Sequence, residues 1–137
     1  MNPLLYLLTK KCIHRELNAH QVLFRGKTVK LAAVGHYKLN VSEALKNNEC
    51  ANYISPQILR NRPYSSKTDV FSLGVLAYQI LQDGSLPWGS IESFKDRNQY
   101  LEKIKEPLKF KKQISEVEKD FVSKCLQYYE DKRMSIV

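Results

Sequence analysis

The sequence has 137 residues, of which 43% are hydrophobic, so it can bury one core and predicts a single globular unit or part of a larger one. Its 22 Lys and Arg residues exceed its 14 Asp and Glu residues and give a formal net charge of +8. The basic residues are dispersed rather than gathered in one block with interleaved aromatic residues, so we expect no nucleic-acid partner.

The cysteines and the N-terminus indicate the compartment. Cys12, Cys50 and Cys125 are widely spaced and form no C-x-x-C pair, which predicts neither a disulfide framework nor a zinc site. The apolar run that follows Pro3 has about five or six residues, whereas a bilayer span needs about 20, and no basic n-region precedes it. We therefore expect a cytoplasmic protein with no membrane partner.

The first predicted elements are a short helix and a hairpin. The apolar stretch Pro3–Leu8 suits the end of a buried helix, and the lysines that follow it favour a helix C-terminus. Two β-rich runs, Val22–Phe24 and Val29–Ala32, are separated by a turn in which Gly26 supplies a positive φ. This part of the chain predicts a helix followed by a two-stranded antiparallel sheet.

The middle of the chain predicts a loop and then a buried helix. Residues 36–52 are polar and irregular, and they predict a loop long enough to have a function. The stretch Thr68–Gln82 is apolar on nearly every side, which predicts a helix inside the core that ends at Gly84. Thr68 and Asp69 are predicted to provide its N-terminal cap.

The C-terminal part predicts two amphipathic helices. The first spans Ile91–Lys105 and is stopped by Pro107, because proline cannot continue a helix. Its predicted inward residues are Phe94, Leu101 and Ile104. The second opens at Ser115, which with Glu118 has the spacing of a capping box. Its predicted inward residues are Phe121, Val122, Cys125 and Leu126.

A series of short motifs also runs along the chain in a fixed order. They are His14-Arg15-Glu16-Leu17, Ala33-Val34-Gly35, Ser55-Pro56-Gln57, Asp69-Val70-Phe71-Ser72-Leu73-Gly74-Val75, Leu86-Pro87-Trp88 and Asp131-Lys132-Arg133-Met134-Ser135. In order and spacing they resemble the H-R-D-L, D-F-G, A-P-E, D-V-W-S-F-G-V, proline-aromatic and arginine-containing motifs of the C-terminal lobe of the eukaryotic protein kinase fold.

The resemblance covers essentially the whole chain and implies its fold. The expected fold class is mainly α with a short β-hairpin, as in the C-terminal lobe of this α+β two-lobe fold. Residues 1–137 are then expected to be a partial kinase-like domain without the N-terminal lobe and the final helix, since no Gly-rich loop or V-A-I-K strand precedes His14.

The resemblance also implies what the chemical positions should hold. In the family an Asp orients the attacking hydroxyl, an Asn and the D-F-G Asp bind Mg²⁺, and in Ser/Thr kinases a Lys of the same loop usually contacts the phosphate. In this sequence those positions are Glu16, Gln21, Ala33 and Asn18. Ala33 offers no ligand oxygen, and a methyl group cannot replace the charge stabilisation that a bound Mg²⁺ supplies.

We therefore expect no cofactor at these positions. ATP and Mg²⁺ are expected only if the missing lobe exists and an unusual metal site forms through Glu16 and Gln21.

Other positions carry structural roles in the resemblance. His14 and Arg15 are expected to be packed residues of the loop, and Asp69 resembles the buried Asp that accepts backbone hydrogen bonds from that loop. Gln57 and Arg133 stand where the family has a buried Glu–Arg ion pair. Because Gln is a neutral acceptor, some of this clamp is expected to survive.

These features define three hypotheses. The first is a pseudokinase, a scaffold whose partners are proteins such as a kinase or another signalling protein, with binding surfaces at residues 36–57 and at Ile91–Lys105. The second is a partial sequence of an active ATP-dependent protein kinase that phosphorylates Ser/Thr or Tyr of proteins. The third is a non-functional fragment that does not fold alone and exposes apolar surface.

Overall fold

The first elements of the computed structural model, which describes residues 3–32, 45–46 and 48–136, are a helix and a hairpin. Helix α1 spans Pro3–Thr9, and strands β1 (Val22–Arg25) and β2 (Thr28–Leu31) pair antiparallel with Val22 opposite Leu31. Gly26 has a φ of 59° in the turn, a conformation that glycine adopts without steric cost. The predicted helix and hairpin are both confirmed.

Two short helices come next along the chain, and the first of them lies where a loop was predicted. Helix α2 spans Asn48–Ala51 and helix α3 spans Pro56–Leu59, so the prediction of an irregular loop was wrong for 48–51. Each is a single turn, which is too short to show a hydrophobic period in the sequence. The rest of the predicted loop, apart from 45–46 and 52, lies outside the described residues.

The long central helix α4 spans Ser66–Leu81, close to the predicted Thr68–Gln82. Its cap was wrongly placed, because Ser65 is the N-cap residue and Thr68 lies inside the first turn. The Ser65 Oγ accepts from the Lys67 backbone N–H at 3.1 Å, and the Ser65 N–H donates to the Thr68 Oγ1 at 3.1 Å. This reciprocal capping box satisfies backbone donors that a helix start otherwise leaves unpaired.

The predicted helix over Ile91–Lys105 was wrong in its first half. Residues Ile91–Ser93 form a short 3₁₀ turn, Phe94 is extended with φ −101° and ψ 143°, and helix α5 spans only Arg97–Lys103. The reason is a second start signal, since the Asp96 side chain accepts from the Gln99 N–H at 2.9 Å. Leu101 and Ile104 are buried as predicted, whereas Phe94 is half-buried.

Helix α6 spans Glu116–Cys125, and the predicted capping box between Ser115 and Glu118 is present. Of its predicted inward residues, Val122, Cys125 and Leu126 are buried, but Phe121 is 37% exposed. Helix α6 packs tightly on α4 at Gly74, where an added Cβ would lie 2.7 Å from the Cβ of Cys125. The chain is mainly helical with one short hairpin, which confirms the predicted fold class.

An apolar groove of about 520 Å³ lies between the hairpin and α4. On its rim Phe24 and Ile80 are 75% and 77% exposed. Over the part of the chain that the structure describes, no helix is long and apolar enough to cross a membrane.

Candidate functional site

A side chain of α4 accepts hydrogen bonds from the backbone of the loop between α1 and β1. Asp69 is 3% exposed, and its two carboxylate oxygens accept from the backbone N–H groups of His14 at 2.7 Å and Arg15 at 2.9 Å. Arg15 has a φ of 74°, a left-handed conformation that is unfavourable for a side-chain-bearing residue. The carboxylate thus bonds the backbone where the loop bends most sharply, and it fixes the loop on the core.

Burial decides the protonation behaviour of Asp69. Removal from water raises the pKa of this carboxyl above its ordinary value, because the charged form loses its hydration. The backbone hydrogen bonds from His14 and Arg15 act in the opposite direction, since they stabilise the carboxylate. The net shift of the Asp69 pKa is upward. The carboxylate is therefore buried at a cost in hydration, and its two backbone hydrogen bonds offset part of that cost.

The imidazole of His14 is fully buried and ties the loop to the end of the hairpin. Its Nε2 lies 2.9 Å from the carbonyl oxygen of Ala32, so Nε2 carries the proton and donates. Within the described residues, His14 Nδ1 has no hydrogen-bond partner. This ring is 0% exposed and therefore packs the loop against β2 without reaching solvent.

Asn18 is 1% exposed and its side chain is bonded within the loop. Its Oδ1 accepts from the His20 N–H at 2.9 Å, which caps the 3₁₀ turn Ala19–Gln21. Its Nδ2 donates to the Glu16 carbonyl oxygen at 3.1 Å and lies 3.4 Å from the Cys50 Sγ. Both ends of the amide are bonded, so Asn18 shapes the loop and does not point at a ligand.

Glu16 and Gln21, at two other positions that the family uses for chemistry, are less buried than Asn18. Glu16 is half-buried and lines a small cavity of about 20 Å³ together with Arg15 and Tyr64. Gln21 is half-buried, and its carbonyl oxygen accepts from the Ala32 N–H at 2.9 Å. The position of Ala33 lies outside the described residues. The structure therefore brings His14, Arg15, Asn18 and Asp69 into one bonded unit with Glu16 beside it.

The donor set at these positions does not fit the family's Mg²⁺. Mg²⁺ requires near-octahedral oxygen ligands, and the sequence supplies one carboxylate, one amide and a methyl group at Glu16, Gln21 and Ala33. Over the described ranges 3–32, 45–46 and 48–136, no group of three or more His, Cys, Asp or Glu residues is arranged to hold a metal ion.

Gln57 and Arg133 meet beside the N-terminal turn of α4, the same end of the helix that carries Asp69. Arg133 is 1% exposed, and its Nη1 donates to the Gln57 Oε1 at 3.0 Å and to the Lys67 carbonyl oxygen at 2.7 Å. Its Nε and Nη2 donate to the carbonyl oxygen of Gln127 at 3.0 and 2.9 Å. Burial lowers the pKa of Arg133 to about 10, because the guanidinium is desolvated.

Some contacts around Arg133 and in the loop held by Asp69 could not be predicted from the sequence. The carbonyl oxygens of Lys67 and Gln127 bind Arg133, and backbone groups carry no residue-specific signal. Tyr64, whose ring lies 5.7 Å from the Arg15 guanidinium, was also missed. An aromatic residue next to Pro63 was its only sequence signal.

The comparisons with known proteins agree with this arrangement of loop, hairpin and central helix. The family model described as Protein kinase domain matches residues 1–137, so the chain belongs to the protein kinase domain family. The predicted recognition of this family is thereby confirmed.

Individual relatives give the extent of the similarity. The chain is 34% identical over 134 residues to an Aurora kinase of Candida glabrata, with 96% of this chain and 36% of that protein covered. It is 30% identical over 138 residues to an Aurora kinase of Saccharomyces cerevisiae, covering 98% and 36%. It is 32% identical over 106 residues to fibroblast growth factor receptor homolog 2 of Drosophila melanogaster, covering 70% and 10%. The chain thus spans about a third of the length of these Aurora kinases.

Proposed function

We propose that this chain is part of a catalytically inactive protein kinase domain, a pseudokinase, that acts in the cytoplasm as a protein-interaction or regulatory scaffold. The observation that carries the proposal is the state of Asn18. Ser/Thr members of the family usually have a phosphate-contacting Lys here, whereas this residue is neutral, 1% exposed and bonded through both its amide oxygen and its amide nitrogen.

The pattern of replaced and retained residues supports the same function. The replaced positions are those that the family uses for chemistry, Glu16, Gln21 and Ala33. The retained residues have packing or anchoring contacts, as Asp69 does with the loop and Gly74 with α6. A fold kept without its metal ligands offers surfaces for protein partners, such as a kinase or another signalling protein.

The test is Mg²⁺-dependent binding of ATP, measured as a thermal shift. The sample is the longest polypeptide that contains this sequence, because the family's nucleotide site involves two lobes. We expect no shift with ATP and Mg²⁺ beyond that with ATP and EDTA. The matched control is the variant Glu16→Asp, Gln21→Asn, Ala33→Asp, which restores the family's residues and should gain a shift. A Mg²⁺-dependent shift in the natural protein would refute the proposal.

The second candidate is an active protein kinase of which this is a partial sequence. Two observations favour it: the relatives are named as kinases, and Glu16 still has a carboxylate at the base position. Transfer of γ-phosphate from labelled ATP to Ser, Thr or Tyr of a test protein distinguishes the two. Activity that the Glu16→Gln variant abolishes would establish the kinase and exclude the scaffold-only function.

A further inference from the structure

A cleft of about 470 Å³ lies between the turn after α3 and the segment after α6. One wall consists of Arg60 and Arg62 with Pro63–Ser65, and the other of Tyr128–Glu130. Gln57 also lines this space, which we call the arginine cleft.

The two arginines at the cleft are exposed and have no side-chain partner within the described part of the chain. Lysines elsewhere are paired with acidic side chains at 2.6 to 2.9 Å, namely Lys103, Lys105, Lys112, Lys119 and Lys124. A guanidinium presents a planar fork of donors that matches a carboxylate or phosphate. Arg60 and Arg62 are therefore available for an anion that the chain itself does not supply.

The backbone holds these arginines in place before any partner binds. The Arg62 N–H donates to the Gln57 carbonyl oxygen at 2.8 Å, and the Asn61 N–H donates to the Ile58 carbonyl oxygen at 2.9 Å. With Asn61 at a φ of 57°, this is a Schellman turn that ends α3. Because the turn is already ordered, binding there costs less conformational entropy than binding to a free loop.

The clamp beneath the cleft adds positive charge. Gln57 accepts from the Arg133 guanidinium at 3.0 Å, and as a neutral amide it leaves that charge uncompensated. The carboxylate of Glu130 lies on the opposite wall and accepts a hydrogen bond from Ser65. Three guanidinium groups thus lie in or beside the cleft against this one carboxylate, so its potential is positive.

The walls also select the shape of the ligand. Tyr64 and Tyr128 are half-buried and Tyr129 is 55% exposed, so their rings present flat apolar surface between the charged groups. Such surface packs against an extended peptide.

We propose that the arginine cleft binds an acidic peptide segment of a protein partner, with Arg60 and Arg62 donating to its carboxylates and the tyrosine rings packing against its chain. This inference rests on the proposed scaffold function, because it names the chemistry of one partner.

The test uses the protein that contains this chain and a fluorescein-labelled polyglutamate peptide, with binding followed by fluorescence anisotropy. We expect Arg60→Gln with Arg62→Gln to weaken binding about tenfold or more, because two charge-assisted contacts are lost. The control is Lys119→Gln with Lys124→Gln on α6, which removes the same charge from residues that do not line the cleft and should change binding less than about twofold. Gln57→Glu should weaken binding about threefold without lowering the melting temperature.

Equal losses of peptide affinity in the arginine and lysine variants would overturn the proposal, since binding would then follow net charge alone. Binding of a single-stranded DNA or of anionic vesicles with the same dependence on Arg60 and Arg62, but no binding of polyglutamate, would also overturn it. The proposed scaffold function is refuted by a different result, a Mg²⁺-dependent thermal shift with ATP. That result would not affect arginine-dependent binding of the peptide.

Discussion

The Arg133 guanidinium donates to the Gln57 amide oxygen at 3.0 Å inside the core, where a cation is bonded by neutral groups. The Gln57 Nε2 lies 3.3 Å from the Thr68 Oγ1, so this amide also joins Arg133 to the capping box of α4. A buried charge is costly unless it is paired or fully hydrogen-bonded, and here carbonyl and amide oxygens perform that task.

The first prediction is that Gln57→Glu stabilises the chain. A carboxylate makes a stronger hydrogen bond to a guanidinium than an amide does, and the Thr68 hydroxyl can donate to it. We expect a gain of about 1 kcal/mol in the free energy of unfolding, measured by urea denaturation. Gln57→Leu is the matched control and should lose stability, because it removes the acceptor. An unchanged or lower midpoint for Gln57→Glu would count against the pairing.

The second prediction concerns the anchor at Asp69. Asp69→Asn keeps the size of the side chain but points an NH₂ group at one of the two backbone donors. We expect a loss of about 1–3 kcal/mol at neutral pH, since one buried N–H loses its acceptor. The exposed Asp83→Asn should stay within about 0.5 kcal/mol of the wild type.

The pH dependence of the Asp69 effect has a defined sign. The folded-state pKa of Asp69 is raised above its ordinary value of 3.8, so the folded protein binds this proton more readily than the unfolded chain does. Asp69 therefore contributes most to stability below pH 3.8, and this contribution is lost as the pH rises through the folded pKa. Urea denaturation at several pH values should show the wild-type advantage over Asp69→Asn declining in that range; an advantage that grows would disprove the shift.

The third prediction is that Gly74→Ala destabilises the fold despite its gain in helix propensity. The new Cβ would lie 2.7 Å from the Cβ of Cys125 and 2.8 Å from the Cδ2 of Leu126, so α4 and α6 must move apart. Overpacking of this kind costs about 1–3 kcal/mol, which exceeds the gain of about 1 kcal/mol from replacing a helical glycine. Thermal unfolding measures the difference.

Ile80→Ala is the control for Gly74→Ala, since Ile80 is on the same helix and 77% exposed. It should change the free energy of unfolding by no more than about 0.5 kcal/mol. A Gly74→Ala variant as stable as the control would show that the two helices are not in such close contact.

The fourth prediction concerns the apolar groove between the hairpin and α4. Phe24→Thr with Ile80→Lys should reduce light scattering of the concentrated chain, because exposed apolar patches promote association. The melting temperature should hardly change, since both side chains are mostly exposed. Val117→Lys, which replaces an apolar residue that is 79% exposed on α6, is the control and should leave scattering unaltered. Equal scattering of all variants would show that the groove does not cause aggregation.

Much of the fold was predictable because its signals are local. The capping box at Ser115 and Glu118 and the hairpin around Gly26 follow from neighbouring residues. The missing ligand oxygen at Ala33 was readable from the sequence for the same reason, since an alanine side chain has no oxygen wherever it lies.

The errors have a common physical origin in competing start signals and short elements. Asp96 begins α5 within a continuous amphipathic pattern, and Ser65 caps α4 before the residues that the hydrophobic run suggested. The arginine cleft was not predictable, because Arg62 and Tyr129 meet only after the chain has closed around α4.

The close approach at Gly74 has a consequence for how this sequence can vary. The segment between α4 and α6 contains α5 and buried residues, but it ends in an exposed loop at residues 111–113. Doubling the length of a flexible loop costs only about 0.6 kcal/mol. A single methyl group at position 74 is expected to cost more than that, because it acts directly on the contact between the helices. The domain should therefore accept whole residues inserted in the exposed loop at 111–113 more readily than one added carbon atom at Gly74.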